Sequence, residues 1–258
     1  MKNAIFTAAL IVAFVASFVQ LAHAESEGKF SLETGMDVNS GKYGRTESTD
    51  ILYVPVTGRY QGRSWSFKLT IPYLQITGPG NVINGVGLTG AATATRTTQS
   101  GLGDVVVAAS HTAYNDGASG VMVNLTGKVK LGTADSAKGL GTGQNDYAFQ
   151  ADLYRVQSDL TAFGTFGYRL YGSPATYTLN NVFYGYAGGS YKFSQASSAG
   201  LMFNFSQKVV STGSSHAEAI AFASHRLGEE WKAQGYVLKG YTNSVPDWGA
   251  GANITYIF

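Results

Sequence analysis

The chain has 258 residues, no cysteine, a formal charge of +2 and only 13% charged residues. Without thiols it forms no disulfide, thiolate nucleophile or zinc–thiolate site, and without a basic run it offers no electrostatic footprint for nucleic acid. So low a share of charge, about half that of an ordinary soluble domain, is expected where one face of every strand meets lipid.

The amino terminus reads as an export signal. Lys2 supplies a short positive region, residues 4–21 are almost entirely apolar, and Ala22-His23-Ala24 fits the small-x-small cleavage pattern. Residues 1–24 are therefore expected to be a cleaved signal peptide and residues 25–258 one outer-membrane β-barrel domain. The alternative is an uncleaved inner-membrane anchor. Beyond Leu21 no apolar stretch is long enough for a membrane helix, so strands must hold the mature chain in a membrane.

Alternating segments near 28–38, 50–61, 64–76, 102–114, 120–132, 145–156, 160–171, 181–193, 198–209, 217–228, 231–242 and 248–258 predict about 12 strands. Short turns are expected at Gly62-Arg63, Asn115-Asp116-Gly117, Gln157-Ser158-Asp159, residues 195–197 and Gly228-Glu229-Glu230. Long connections fall at 39–49, 77–101, 133–144, 172–180, 210–216 and 243–247. Alternating short and long connections are the mark of an all-β, antiparallel up-and-down transmembrane barrel, with every long connection outside the cell.

The last segment carries Trp248, Ala250, Ala252, Ile254, Tyr256 and Phe258 on one face. Tyr256 and the terminal Phe258 resemble the carboxyl-terminal signal that barrel-assembly machinery recognises in its substrates. That resemblance implies the machinery as a partner, together with outer-membrane lipid.

Charge decides which face is the lumen. A lysine facing lipid at mid-membrane costs roughly 2–4 kcal/mol, so the face of residues 121–131 that bears Lys128 and Lys130 must point inward. The same argument turns Lys68 inward and Trp65, Phe67, Leu69, Ile71 and Tyr73 outward. Collected, the lumen-lining candidates are Glu33, Arg59, Lys68, Lys128, Lys130, Asp146, Asp152, Arg169, Lys208 and Glu218, with Arg226 beside them. Residues 104–113 and 217–227 carry small side chains on both faces and give no phase. Opposed acidic and basic walls make either a narrow conduit with a transverse field or a lumen filled by its own ion pairs.

The longest connection, residues 77–101, is Gly-, Thr- and Ala-rich with Arg96 as its one charge. A loop of that length usually has a task. It either folds into the mouth as a constriction or prolongs its flanking strands as a hairpin.

Signals for chemistry are weak, and no cofactor or metal is expected. Gly139-Leu140-Gly141-Thr142-Gly143 has the look of a phosphate loop, but no Lys-Ser/Thr follows and it joins strand to strand. Ser110 and Ser224 sit on the opposite faces from His111 and His225, so neither makes a local Ser–His pair. His216, near Glu218, reads as a solvated loop residue. A cross-strand catalytic pair stays open, as in the outer-membrane phospholipase that this chain resembles in strand number, although nothing matches its active-site motif.

The run Gln99-Ser100-Gly101-Leu102-Gly103-Asp104-Val105, then Gly127 and Val129-Lys130-Leu131-Gly132-Thr133, then Gly139-Leu140-Gly141-Thr142-Gly143-Gln144-Asn145-Asp146 resembles the outer-membrane proteins of the MetA pathway of phenol degradation. The resemblance covers residues 99–153 well and the rest by architecture. Gly132 stands where many members carry proline. What it implies is transport of small solutes, often aromatic or apolar, with no substrate residues assigned. Asp104, at the rim where the long loop re-enters the wall, is placed to accept hydrogen bonds from loop amides. The expected function is passive uptake of small, hydrophobic or aromatic solutes; the alternatives are a structural or adhesive barrel with a closed lumen and an outer-membrane lipid hydrolase.

Overall fold

Period-two alternation makes strands here because each segment carries one apolar and one polar face and can bury them on opposite sides of a sheet. The computed structural model describes residues 28–90 and 95–258; the expected signal peptide and residues 91–94 of the longest connection lie outside them. In chain order the strands are β1 (Lys29–Gly41), β2 (Thr49–Gln61), β3 (Trp65–Gly78), β4 (Val82–Ile83), β5 (Gly87–Leu88), β6 (Thr97–Leu102), β7 (Val105–Asp116), β8 (Val121–Leu131), β9 (Asp146–Gln157), β10 (Leu160–Leu170), β11 (Val182–Lys192), β12 (Ser197–Ser206), β13 (His216–Arg226), β14 (Trp231–Gly240) and β15 (Trp248–Ile257).

Gly103 and Asp104 interrupt one wall strand into β6 and β7, while β4 and β5 pair only with each other, so the wall has 12 strands. Each wall strand runs antiparallel to its neighbours. β1 closes the ring on β15, from Ser31 opposite Ile257 to Ser40 opposite Trp248. Closure satisfies backbone groups that lipid could not.

Every expected strand is present, and the departures have local causes. The fourth begins at Thr97 because β3 runs on to Gly78 and pairs with it there. Asn115 and Asp116 belong to β7, opposite Met122 and Val121, so the turn falls at residues 117–120. Asp116 builds that turn: its carboxylate accepts from the Ala118 amide at 3.0 Å and the Ser119 hydroxyl at 2.7 Å. Gly120 closes it with φ of 68°, a conformation that side chains disfavour. A register shift between Thr112 and Tyr114 marks a bulge for which the sequence carries no signal.

Direct cross-strand partners share a face, which settles the two ambiguous segments. Ala217, Ala219 and Ala221 lie opposite the exposed Phe205, Phe203 and Leu201, and so face outward, whereas Glu218 faces inward opposite Asn204. Likewise Val107, opposite Leu69 and Val129, faces out, and Val106 and Ala108 face in. Outside the wall runs an apolar belt of exposed Phe149, Phe166, Phe203, Leu201 and Val237, an arrangement suited to hydrocarbon and costly in water. Aromatic girdles edge it: Trp65, Trp231, Tyr191 and Phe258 at the turn end, Tyr73, Tyr147, Tyr241 and Trp248 at the opposite end.

Two clusters of tightly buried apolar side chains sit at the mouth. Val82 of β4 packs with Tyr43, Ile51, Leu74, Ile76, Ala134 and Leu140 on one side of the barrel. Ile83 and Val86 pack with Leu179, Val182 and Val209 on the far side. The longest connection thus does both things expected of it: its base extends the β3–β6 hairpin, and its tip folds across the mouth.

Candidate functional site: a charged lumen under an infolded loop

The inward side chains enclose two cavities. One, of about 340 Å³, lies under the infolded loop and is lined by Asn84, Gly85 and Gly87 of the loop, by Arg169, His216 and Glu218, and by Tyr171, Tyr184, Tyr186 and Tyr236. The other, of about 350 Å³, is lined by Glu33, Asp37, Tyr53, Thr57, Lys68, Thr70 and Lys128. Tyr236 borders both. The loop is tied down by Arg45, whose guanidinium donates to the carbonyls of Gly80 at 2.7 Å and Gly90 at 2.6 Å. Tyr43 lies buried over the same mouth, and burial pushes its hydroxyl well above the usual phenol range.

Several inward polar groups hold the wall rather than the lumen. Asp152 accepts from Thr126 Oγ1 at 2.9 Å, from Gln150 Nε2 at 2.6 Å and from Thr165 Oγ1. Its lone pairs are largely occupied, so Asp152 is a structural carboxylate. Thr57 and Thr70 bond each other at 3.0 Å, and Glu33 accepts from Thr255 at 3.1 Å. Lys68 and Lys128 are different. Among the described residues neither forms an ion pair, and both border the second cavity.

Around the ring, positive charge gathers on β2, β3, β8 and β10 (Arg59, Lys68, Lys128, Arg169), with Arg59 at the turn end opposite Lys68. Glu33 and Asp37 on β1 and Glu218 on β13 make the acidic side. Arg226 pairs in register with Lys232 at the turn end.

Lys130 and Asp146 belong to a cluster at the mouth. Lys130 Nζ lies 2.8 Å from Asp104, 3.1 Å from Asp146 and 3.2 Å from Thr142 Oγ1. Asp104 also accepts from the Ala134 amide at 2.9 Å, and Asp146 from the Gly172 amide at 3.0 Å. Thr133 completes the knot, accepting from the Val105 amide at 2.9 Å. The glycine-rich run 139–143 follows a short 3₁₀ turn, Ser136–Lys138, capped by Asp135. Leu140 packs in the buried cluster at the mouth, so this segment seals a rim.

Two expectations are corrected. Lys208 does not line the lumen: β12 ends at Ser206, and the exposed Lys208 donates to the Ser211 carbonyl at 3.1 Å within the connection. His216 is no solvated loop residue either; it opens β13 and borders the upper cavity. Alternation with Phe203 and Phe205 already turns Asn204 inward in the sequence, whereas the inward tyrosines carry no charge to fix their face and were missed.

A cross-strand Ser–His pair does occur, Ser197 Oγ to His225 Nδ1 at 2.7 Å, but at the exposed turn end and, among the described residues, with no third group bonded to His225. An unoriented imidazole is a poor general base. Among the described residues no cluster of His, Cys, Asp and Glu could hold a metal ion.

No family model matches the sequence, and no curated relative does. Among solved structures the chain is similar to the NanC porin, with a TM-score of 0.58 and 10% identity over 87% of this chain and 98% of that one. It is similar also to the KdgM porin, with a TM-score of 0.50 and 9% identity over 88% and 98% of the two chains. At such identities the likeness is one of fold, a closed, 12-stranded antiparallel β-barrel, and the apolar belt and girdles suit that barrel to a membrane.

Proposed function

We propose that the protein is a passive outer-membrane channel for small solutes, entered through the mouth that the long connections surround. The observation that carries this reading is the pair of charged, tyrosine-lined cavities inside a closed wall. A barrel that served only as a scaffold would gain more from filling that space with packed or paired side chains; leaving Lys68 and Lys128 unpaired beside it suits passing polar solutes. That the two similar structures are porins supports the same reading. So does the motif resemblance to the phenol-degradation proteins, which points to single-ring aromatic compounds. The polar lining favours those that carry a charge or hydroxyl over purely apolar ones.

The infolded tip of the longest connection favours one competing reading, a closed barrel whose exposed loops are the working surface. Planar-bilayer recording of the purified protein separates the two. Discrete conductance steps are expected; a silent bilayer with correctly folded protein would leave the closed barrel. In assembly, the signal peptide delivers the chain to the periplasm and the barrel-assembly machinery inserts it.

A further inference from the structure

Arg169 is held by aromatic groups instead of by a carboxylate. Its Nη1 donates to the Tyr171 hydroxyl at 3.0 Å, and its Cζ lies 5.5 Å from the Tyr171 ring centroid and 5.0 Å from that of Tyr184. Tyr184 is anchored in turn, donating to Gln150 Oε1 at 2.8 Å. Among the described residues Arg169 forms no ion pair, so its charge has no fixed counter-ion beside the cavity it borders. A fixed guanidinium of that kind is suited to bidentate capture of a carboxylate.

The same cavity has an acceptor pole. Glu218 stands directly across from Asn204, and its carboxylate receives one long bond from Asn204 Nδ2, at 3.5 Å. Among the described residues the buried carbonyl oxygen of Asn204 has no partner. Tyr186, cross-strand neighbour of Asn204, supplies a flat wall on that side. At about 340 Å³ the cavity is near the small end of ligand pockets, which suits a single ring.

We propose, resting on the channel reading above, that this cavity is a selectivity subsite for small planar solutes with a carboxylate at one end and a hydrogen-bond donor at the other. Arg169 takes the carboxylate, and Glu218, positioned by Asn204, takes the donor. A solute lacking either group leaves one pole unpaired, and sites built to bond a polar group discriminate strongly against analogues without it.

Calorimetric titration of the full-length, detergent-folded barrel with 4-hydroxybenzoate, benzoate and phenol tests this. The first should bind at least about tenfold tighter than the other two. Arg169→Gln should weaken 4-hydroxybenzoate and benzoate by about that factor and spare phenol, while Glu218→Ala should erase the difference between 4-hydroxybenzoate and benzoate. Equal binding of all three probes, or insensitivity to both substitutions, overturns the proposal. Should Arg169→Gln not fold, Glu218→Ala carries the decision. A barrel that conducts but ignores the probes refutes the subsite alone; one that binds them selectively without conducting refutes the channel and leaves the subsite.

Discussion

Lys130 meets Asp104 at 2.8 Å across the break between β6 and β7, and this contact joins three glycine-rich segments at the rim of the mouth. The lysine is about one-fifth exposed and its two carboxylate partners less than that. Removing it strands two poorly hydrated carboxylates against each other, so Lys130→Ala should destabilise the folded barrel by about 3 kcal/mol. Lys138 pairs with Asp135 at 3.8 Å with both side chains about half exposed, and its replacement by alanine should cost close to nothing. Urea unfolding in detergent, followed by loss of heat-modifiable mobility, compares the two. Equal midpoints would show that the cluster does not hold the rim.

How much of this was legible depended on range. Glu33, Lys68 and Lys128, which line one cavity, could be grouped from sequence because alternation is a local property and a charge in lipid is expensive. The partnership of Lys130 with Asp104 could not, since 26 residues and a strand break separate them. Lys208 was misplaced for the opposite reason: alternation continues past Ser206, while the backbone leaves the wall there. His216 and the loop tip were obscure because each is positioned by the far side of the barrel, through contacts such as that of Val86 with Val209.

Lys128 is the lysine to use for testing ion selectivity. Since it borders the open cavity without an ion pair, Lys128→Glu should move the reversal potential toward cation preference and leave the barrel folded. Changing Lys130 at the same time would break the rim cluster and confuse the result. A reversal potential that does not move in a conducting Lys128→Glu protein would show that current takes a path away from this wall.

Excision of the loop tip should widen the mouth. Because Thr97 pairs with Gly78, the cut that preserves the wall joins those two residues through a short Gly-Ser turn and removes residues 79–96. Shortening a surface loop changes closure entropy by under about 1 kcal/mol, so the shortened chain should fold, although Ile83 and Val86 no longer cover Val182 and Val209. Liposome swelling should then admit larger solutes than the intact protein does. An unchanged size limit would place the constriction lower, at the level of Tyr236.

Phe258 offers a way to separate assembly from stability. Its amide donates to the Phe30 carbonyl at 2.9 Å, its ring meets Tyr256 edge-on at 4.8 Å between centroids, and about half of the residue remains exposed. Phe258→Asp keeps the backbone bond and places the new charge at the belt's edge, where the cost is about 0–1 kcal/mol. Refolding of the purified variant into detergent should therefore be close to normal. In cells, by contrast, the resemblance of Tyr256 and Phe258 to an assembly signal implies that the amount of heat-modifiable protein in the outer membrane should fall severalfold. Normal cellular assembly of Phe258→Asp would refute the signal, whereas equal defects in the cell and in detergent would make Phe258 a packing residue of the turn-end girdle.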